Sequence, residues 1–421
     1  MIKQLQLNRN HIKIERALIS VFDKTGVVEL AKTLEEMNVE ILSTGGTYKV
    51  LQEASIKVVD VSEYTKFPEI MNGRVKTINP LIGGGLLGLR DEHENDAKEN
   101  NIQWIDLVIC NLYPFAEATS KENCDEALAL ENIDIGGPTM IRAAAKNLGW
   151  VCVAVDPNDY TNIADELKTT GKISFESRKS FSAKAFGHTA KYDTIIHNYF
   201  KSEKLSEDFS LTFTKHSDLR YGENPHQSGA AYKVSDGKDY NILNAHIHQG
   251  KKLSYNNIMD ADGALACVKE FDKPACVIVK HANPCGVAIG KNVLEIYSRA
   301  FKADSLSAFG GIVAFNRKCT KEVAQEITSV FVEIVLAPSF EVEALEIFKK
   351  KKNLRILEIG DFSKRTSKLE VRNIDGGILV QEVDTRILYE NDLQIVTAKK
   401  PTKKNIEDAL FTWKVLRHAK S

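Results

Sequence analysis

The chain has no charge surplus: 56 Lys and Arg stand against 57 Asp and Glu, a formal net charge of -1. No global basic field is available to hold a nucleic acid or an anionic membrane, so any anion must be met by a local cluster. Long apolar runs are missing as well. The opening MIKQLQLNRNHIKIERALISVF interrupts every apolar stretch with charged or amide residues. Neither a signal-peptide core nor a spanning helix is expected from it, and a soluble, cytoplasmic protein is. Cysteine is sparse: seven residues, at 110, 124, 152, 267, 276, 285 and 319, form no CxxC pair and share no zinc-like spacing with histidine. Buried reduced thiols are expected, which excludes a disulfide-stapled secreted domain and argues against a structural metal. Fixed-period repeats and low-complexity tracts are absent too, which sets aside solenoids and propellers.

What is present is a 421-residue chain with 43% hydrophobic residues, enough for two or three domains at the usual ~100 to 200 residues each. From Arg16 onward, short aliphatic runs alternate with amphipathic stretches, the sequence form of an α/β fold. ALISVF predicts a strand, and DKTG a turn with Asp23 as helix N-cap. Val27, Val28, Leu30, Ala31, Leu34 and Met37 form a helical stripe. VEILS, VVDVS, IDLVICNLYPF and WVCVAVD read as further strands, and PTMIRAAAKN as a helix opening on proline. A long helix is predicted over 175–200, then a boundary near 200–210, giving domains 1–205 and 206–421. In the second, ACVIVKH, GGIVAF and LRILEI read as strands, with helices around 260–271, 292–302, 320–335 and 403–417.

Glycines at a strand-to-helix turn remove Cβ atoms and aim backbone N–H groups at an anion. Thr44, Gly45, Gly46 and Thr47 (TGGT) fit that geometry, the threonines adding hydroxyl donors. Ser20 and Lys24, the RVKT string from Arg74 through Lys76 to Thr77, and the CNLY string of Cys110, Asn111 and Tyr113 all fall just past predicted strands or in loops. In a parallel sheet such positions open on one crevice, so a phosphate-bearing ligand is inferred. Asp134 lies in IDIGGPT. Lys146 follows three alanines in RAAAKN, where close packing or nearby cations would lower its pKa toward proton transfer, with Asp134 orienting it. Farther on, LRYGENPHQ gathers polar groups around Arg220 and Tyr221. VIVKHANPCG runs a strand into Lys280 and His281, a charge stabiliser beside a general base. Cys285 has no activating neighbour and reads as packing.

Nine strings together, SVFDKTG, STGGT, GRVKT, CNLYPF, IDIGGPTMIRAAAKN, LRYGENPHQ, LSYNNIMDADGA, VKHANPCG and SLSAFGGIVAF, resemble in order the bifunctional AICAR formyltransferase/IMP cyclohydrolase family of purine biosynthesis. The resemblance implies a methylglyoxal-synthase-like doubly wound domain followed by a cytidine-deaminase-like formyltransferase region without zinc. For the first domain it implies dehydrating closure of formyl-AICAR to IMP. Lys146 would give and take the proton, with Asp134, Tyr113 and Lys76 beside the ring. Ser20, Lys24, Thr44, Gly45, Gly46, Thr47, Arg74, Thr77, Cys110 and Asn111 would hold the nucleotide. For the second it implies formyl transfer from 10-formyltetrahydrofolate to AICAR. His281 would be proton acceptor, Lys280 transition-state stabiliser, and Arg220, Tyr221, Gly310 and Glu333 the AICAR contacts. A homodimer is implied, with the formyltransferase site shared between subunits and no metal in the chemistry.

Two departures bear on these expectations. INPLIGGG, with Asn79 and Gly83, stands where histidines are expected, so those positions are not read as acids or bases. Family members continue beyond TWKVLRHAKS, so the formyltransferase region reads as C-terminally incomplete. Cyclohydrolase activity is expected to persist and formyl transfer to be weak or absent, with Trp413, Val415 and Leu416 left exposed. The rival readings are a monofunctional cyclohydrolase and a nucleotide-sensing regulatory protein.

Overall fold

The computed structural model describes residues 7–234, 240–361 and 369–419, so the first six residues of the opening stretch lie outside the description. Internal contacts divide the chain into two units, Met1–Leu211 and Thr212–Ser421.

The first unit is built on β1 (Arg16–Ser20), β2 (Glu40–Ser43), β3 (Val59–Asp60), β4 (Leu107–Cys110) and β5 (Cys152–Ala154), in the order β3-β2-β1-β4-β5. All four pairings are parallel. Successive residues point to opposite faces, and both faces are covered, as a parallel sheet requires. Ala17, Ile19 and Ile109 pack with Leu30, Leu34, Ile163 and Leu167 on one side. Leu18, Val108 and Val153 pack with Ile82, Leu86, Ile141 and Ala185 on the other. Strand order reverses between β1 and β4, and ligands of doubly wound sheets bind outside the carboxyl ends of the strands at such a switch point.

The predicted stripe is buried at Val27, Leu30, Ala31 and Leu34 of the helix Val27–Glu36. Its start differs from expectation: Gly26, at φ 69, precedes the helix. Asp23 is no N-cap; it accepts from the Thr25 N–H (2.9 Å) and hydroxyl (2.7 Å) within the turn. The 26-residue helix Phe175–Phe200 forms as predicted. Its Arg178 is fully buried and donates to the carbonyls of Leu148 (2.8 Å), Ile173 (2.8 Å), Asn10 (3.0 Å) and Gly149 (3.2 Å). That guanidinium ties the N-terminal segment to the turn before β5.

The second unit is a mixed sheet. β8 (His246–Gln249), β9 (Ala275–Lys280), β10 (Asn283–Ile289), β11 (Ile312–Phe315), β12 (Ile334–Ala337) and β13 (Arg355–Glu358) lie in the order β10-β9-β11-β12-β13-β8. Two separate hairpins accompany it, β6 (Phe213–Asp218) with β7 (Ala230–Val234), and β14 (Leu369–Ile374) with β15 (Gly377–Glu382). Val277 and Val279 pack with Leu265, Val268, Phe411 and Val415; Cys276 and Ile278 face Ile296, Val323 and Phe348. The helix expected over 320–335 ends at Thr328, and its apolar tail is β12. The NPCG string that follows Lys280 and His281 opens β10. Val415 is partly buried against the core, whereas Trp413 and Leu416 of the same helix are exposed. Among the described residues no helix is long and apolar enough to cross a membrane.

Candidate functional site

The switch point gathers the predicted residues of the first unit. Ser20 ends β1 level with Cys110 of β4, and Thr44, in extended conformation, leads from β2 into the helix Gly45–Glu53. The two glycines open that helix beneath two ammonium groups. A Cβ on Gly45 would stand 3.6 Å from Lys76 Nζ, and one on Gly46 3.8 Å from Lys24 Nζ. Lys24 Nζ donates to the carbonyls of Phe22 (3.1 Å) and Val21 (3.3 Å); Lys76 Nζ pairs with Glu69 at 3.1 Å. Two cations over a helix N-terminus without intervening side chains make an anion cradle.

Two expected ligand groups instead hold this cradle together. The buried Thr47 hydroxyl accepts from the Val21 N–H (3.0 Å) and donates to its carbonyl (2.9 Å). Asn111 Oδ1 accepts from the N–H groups of Phe22 (2.6 Å) and Asp23 (2.9 Å), and its Nδ2 donates to the Asp23 carbonyl (2.9 Å). Together they fix the loop after β1. Cys110 is buried, and its thiol is pushed far above its ordinary range, by burial first and by the Asp134 charge second; it is no nucleophile.

Asp134 lies before the helix Gly136–Lys146, its Oδ1 accepting from the Gly137 N–H at 2.8 Å. Burial raises its carboxyl above the usual range, against the opposing pull of the Gly137 and Tyr113 N–H groups. A carboxyl moved toward neutrality is suited to proton transfer. Tyr113 is half exposed and sits edge-on to Phe22 at 5.7 Å. Thr77 Oγ1 lies 2.8 Å from where a Gly136 Cβ would stand, so RVKT, Asp134 and this helix start meet. Arg74 is exposed and paired with Glu131. Asn79 caps the helix Pro80–Leu87 by accepting from the Leu81 N–H (2.9 Å), and Gly83 lies inside that helix.

Lys146 is not brought to this group. It closes the 11-residue helix that Asp134 precedes, about 15 Å along the axis at 1.5 Å per residue. That helix returns the chain from the carboxyl end of β4 to the amino end of β5, which runs parallel to β4. Next to Lys146, Asn147 Nδ2 donates to the carbonyls of Leu86 (2.8 Å) and Gly88 (3.0 Å). Lys146 is therefore exposed at the opposite edge of its own sheet.

In the second unit, Lys280 ends β9 with Nζ donating to the Phe309 carbonyl at 2.6 Å. Gly310, at φ 71, lies beside it: a Cβ there would crowd the Phe331 ring at 3.2 Å and stand 3.7 Å from Nζ. Glu333 precedes β12 and pairs at 2.6 Å with the buried Arg355. His281 is exposed on the two-residue turn between β9 and β10. Arg220 and Tyr221 lie in the loop between β6 and β7, the guanidinium 5.6 Å from the ring centroid. That loop touches the helix Tyr255–Val268, where Asn256 Nδ2 donates to the Glu223 carbonyl at 3.3 Å. One turn along, Asp260 accepts from the Ala282 N–H at 2.8 Å. Cys285 is half-buried, its thiol raised chiefly by burial. Sequence reasoning passed over Glu69, Asn256, Asp260 and Arg355. The signals for three of them were the carboxylate in FPEI just ahead of NGRVKT and the amide- and acid-rich SYNNIMDADG.

A cation-lined cradle with an adjacent perturbed carboxyl, and a Lys–His turn on a mixed sheet, define a two-unit α/β enzyme for anionic small molecules. Comparison with known proteins sharpens this. Residues 144–421 match the family model AICARFT/IMPCHase bienzyme, and residues 26–139 match the MGS-like domain. The bifunctional purine biosynthesis protein PurH of Acetivibrio thermocellus is 50% identical over 417 residues, covering 97% of this chain and 81% of that protein. The Thermoanaerobacter sp. protein of the same name is 50% identical over 412 residues, covering 97% and 80%, and that of Bacillus cereus is 49% identical over 412, covering 97% and 81%. A solved structure titled "Crystal structure of ForH" is 32% identical, with TM-score 0.41, covering 44% of this chain and 96% of that one. The chain belongs to the AICARFT/IMPCHase bienzyme family, which catalyses the last two steps of IMP biosynthesis.

Proposed function

We propose that the two reactions are divided between the two units, with ring closure at the cradle of the first. The observation that carries this reading is that Lys24 and Lys76 stand over the Gly45–Gly46 helix start at the switch point, while Thr77, next to Lys76, reaches the start of the helix that Asp134 precedes. Lys24, Ser20 and the Thr44–Gly46 backbone bind the nucleotide phosphate, while Arg74, Thr77 and Cys110 line the cradle. Asn111 and Thr47 keep the loop after β1 in place. Closure joins the carboxamide nitrogen to the formyl carbon, creates an oxyanion and expels water. Lys76 and Tyr113 stand beside the ring to offset that charge, and Asp134 exchanges a proton with it.

Lys146 enters on the family resemblance as proton donor and acceptor. Because Lys146 is exposed at the far edge of its own sheet, the cradle it serves in this reading is that of a second copy of the chain, in a homodimer with shared sites. Mixing tests this directly. Lys76→Ala and Lys146→Ala homodimers should each fail to close formyl-AICAR. Their subunit-exchanged mixture should recover about a quarter of wild-type turnover, because half the dimers carry one intact site out of two. No recovery on mixing would remove the shared site.

In the second unit His281 accepts the proton lost by the AICAR amine, and Lys280 stabilises the charge that develops on the formyl oxygen. Arg220, Tyr221, Gly310 and Glu333 hold AICAR. 10-Formyltetrahydrofolate supplies the formyl group as co-substrate. The exposed rings of Phe309 and Phe331, 5.4 Å apart beside the Lys280 ammonium, fit a flat aromatic carrier of that kind. A cytoplasmic setting suits both substrates and seven cysteines that all stand as free thiols.

A further inference from the structure

His281 and Ala282 both have positive φ, 51 and 58, although neither is glycine. They form the whole connection between β9 and β10, since Lys280 and Asn283 are already paired across the hairpin. A two-residue hairpin of this handedness normally carries Asn-Gly or Gly-Gly, because side chains crowd the backbone there. Such a conformation persists only where its surroundings hold it, and it recurs at functional sites.

The holding groups are in place. Asp260 Oδ1, from the helix Tyr255–Val268, accepts from the Ala282 N–H at 2.8 Å. Asn283 Nδ2 donates to the His281 carbonyl at 3.2 Å. A Cβ on Gly263, on the next turn of that helix, would stand 3.5 Å from the Ala282 carbonyl oxygen. A carboxylate accepting a backbone N–H is a strong, directional anchor. We infer that Asp260 is a positioning residue for formyl transfer: it pins Ala282 in the left-handed region and thereby fixes where the neighbouring His281 presents its ring. This rests on His281 being the proton acceptor, as proposed above. Asp260 itself touches no reacting atom.

The test uses the intact chain, AICAR and 10-formyltetrahydrofolate. Asp260→Ala should lower kcat at least about tenfold, with KM for AICAR within about threefold, as expected when a catalytic group is misplaced and binding survives. Asp260→Asn, which keeps the acceptor oxygen, should retain most of kcat. Adding Ala282→Gly to Asp260→Ala should restore most of it, because glycine adopts the turn without an anchor. Unchanged kcat in Asp260→Ala, or a loss that neither Asn nor the glycine relieves, overturns the inference. If the wild-type chain itself transfers no formyl group, it is the reading of His281 that fails. Amide hydrogen exchange then decides the positioning claim alone: Ala282 N–H should be protected in wild type and open in Asp260→Ala, and equal exchange would refute it.

Discussion

The two units reach their functional groups by different routes. In the first, a parallel sheet with a reversal of strand order brings the ends of β1, β2 and β4 to one crevice, and Lys24, Thr47, Cys110 and Asn111 arrive there by topology alone. In the second, neighbouring strands β9 and β10 run antiparallel, and the key pair, Lys280 and His281, sits at a hairpin that must be forced into its shape. The first arrangement stabilises itself, since its clamps are ordinary hydrogen bonds between loops. The second depends on a helix carboxylate outside the pair. A switch point makes a site out of fold; a hairpin tip has to be given one.

Two stability measurements would break or sharpen this contrast. The largest expected effect tests whether the first unit's scaffold stands by itself. Arg178→Ala leaves at least four carbonyls without their donor in a buried place, and should destabilise the first unit by about 3 kcal/mol or more. In denaturant, its transition should move while that of the second unit stays. A common shift of both would show that the units do not unfold separately.

A smaller effect concerns the price of function at the cradle. Because the folded-state pKa of Asp134 is raised, its charged form weighs against folding above that pKa, and the penalty vanishes below the unfolded value of about 4. Asp134→Asn should therefore raise Tm at pH 7 by about 2 °C or less, with the gain fading as pH falls toward 4, while ring closure is lost. A lower Tm at pH 7 would mean that the carboxylate supports the fold.

Much of this was legible in the sequence. The stripe of the first unit follows a helical period and its strands show as short aliphatic runs, although VVDVS is a strand only at Val59–Asp60 and turns helical from Val61; the cradle groups lie where strand ends must open. Less legible was anything set by a partner distant in sequence. Asp260 looks like one more polar residue on an amphipathic helix until Ala282 is seen beneath it, and Arg178 looks like surface on a polar stretch. Short exposed strands such as β8, and the β14–β15 hairpin, bury too little to leave a pattern. Apolar residues Val330, Val332 and Val335 carried the helical reading of 320–335 past its true end, because a short apolar run is ambiguous between helix and strand. Lys146 was read correctly as helical, but its edge of the sheet follows from the direction of that helix, which only the parallel pairing of β4 and β5 fixes.

The central claim is that the cradle closes the ring independently of the Lys280–His281 turn. It is tested by giving formyl-AICAR to the intact wild-type, Lys76→Ala and His281→Ala chains and following IMP. The account predicts a loss of about 10³-fold in Lys76→Ala and turnover unchanged in His281→Ala. Ring closure that survives in Lys76→Ala, or that disappears in His281→Ala, would contradict it.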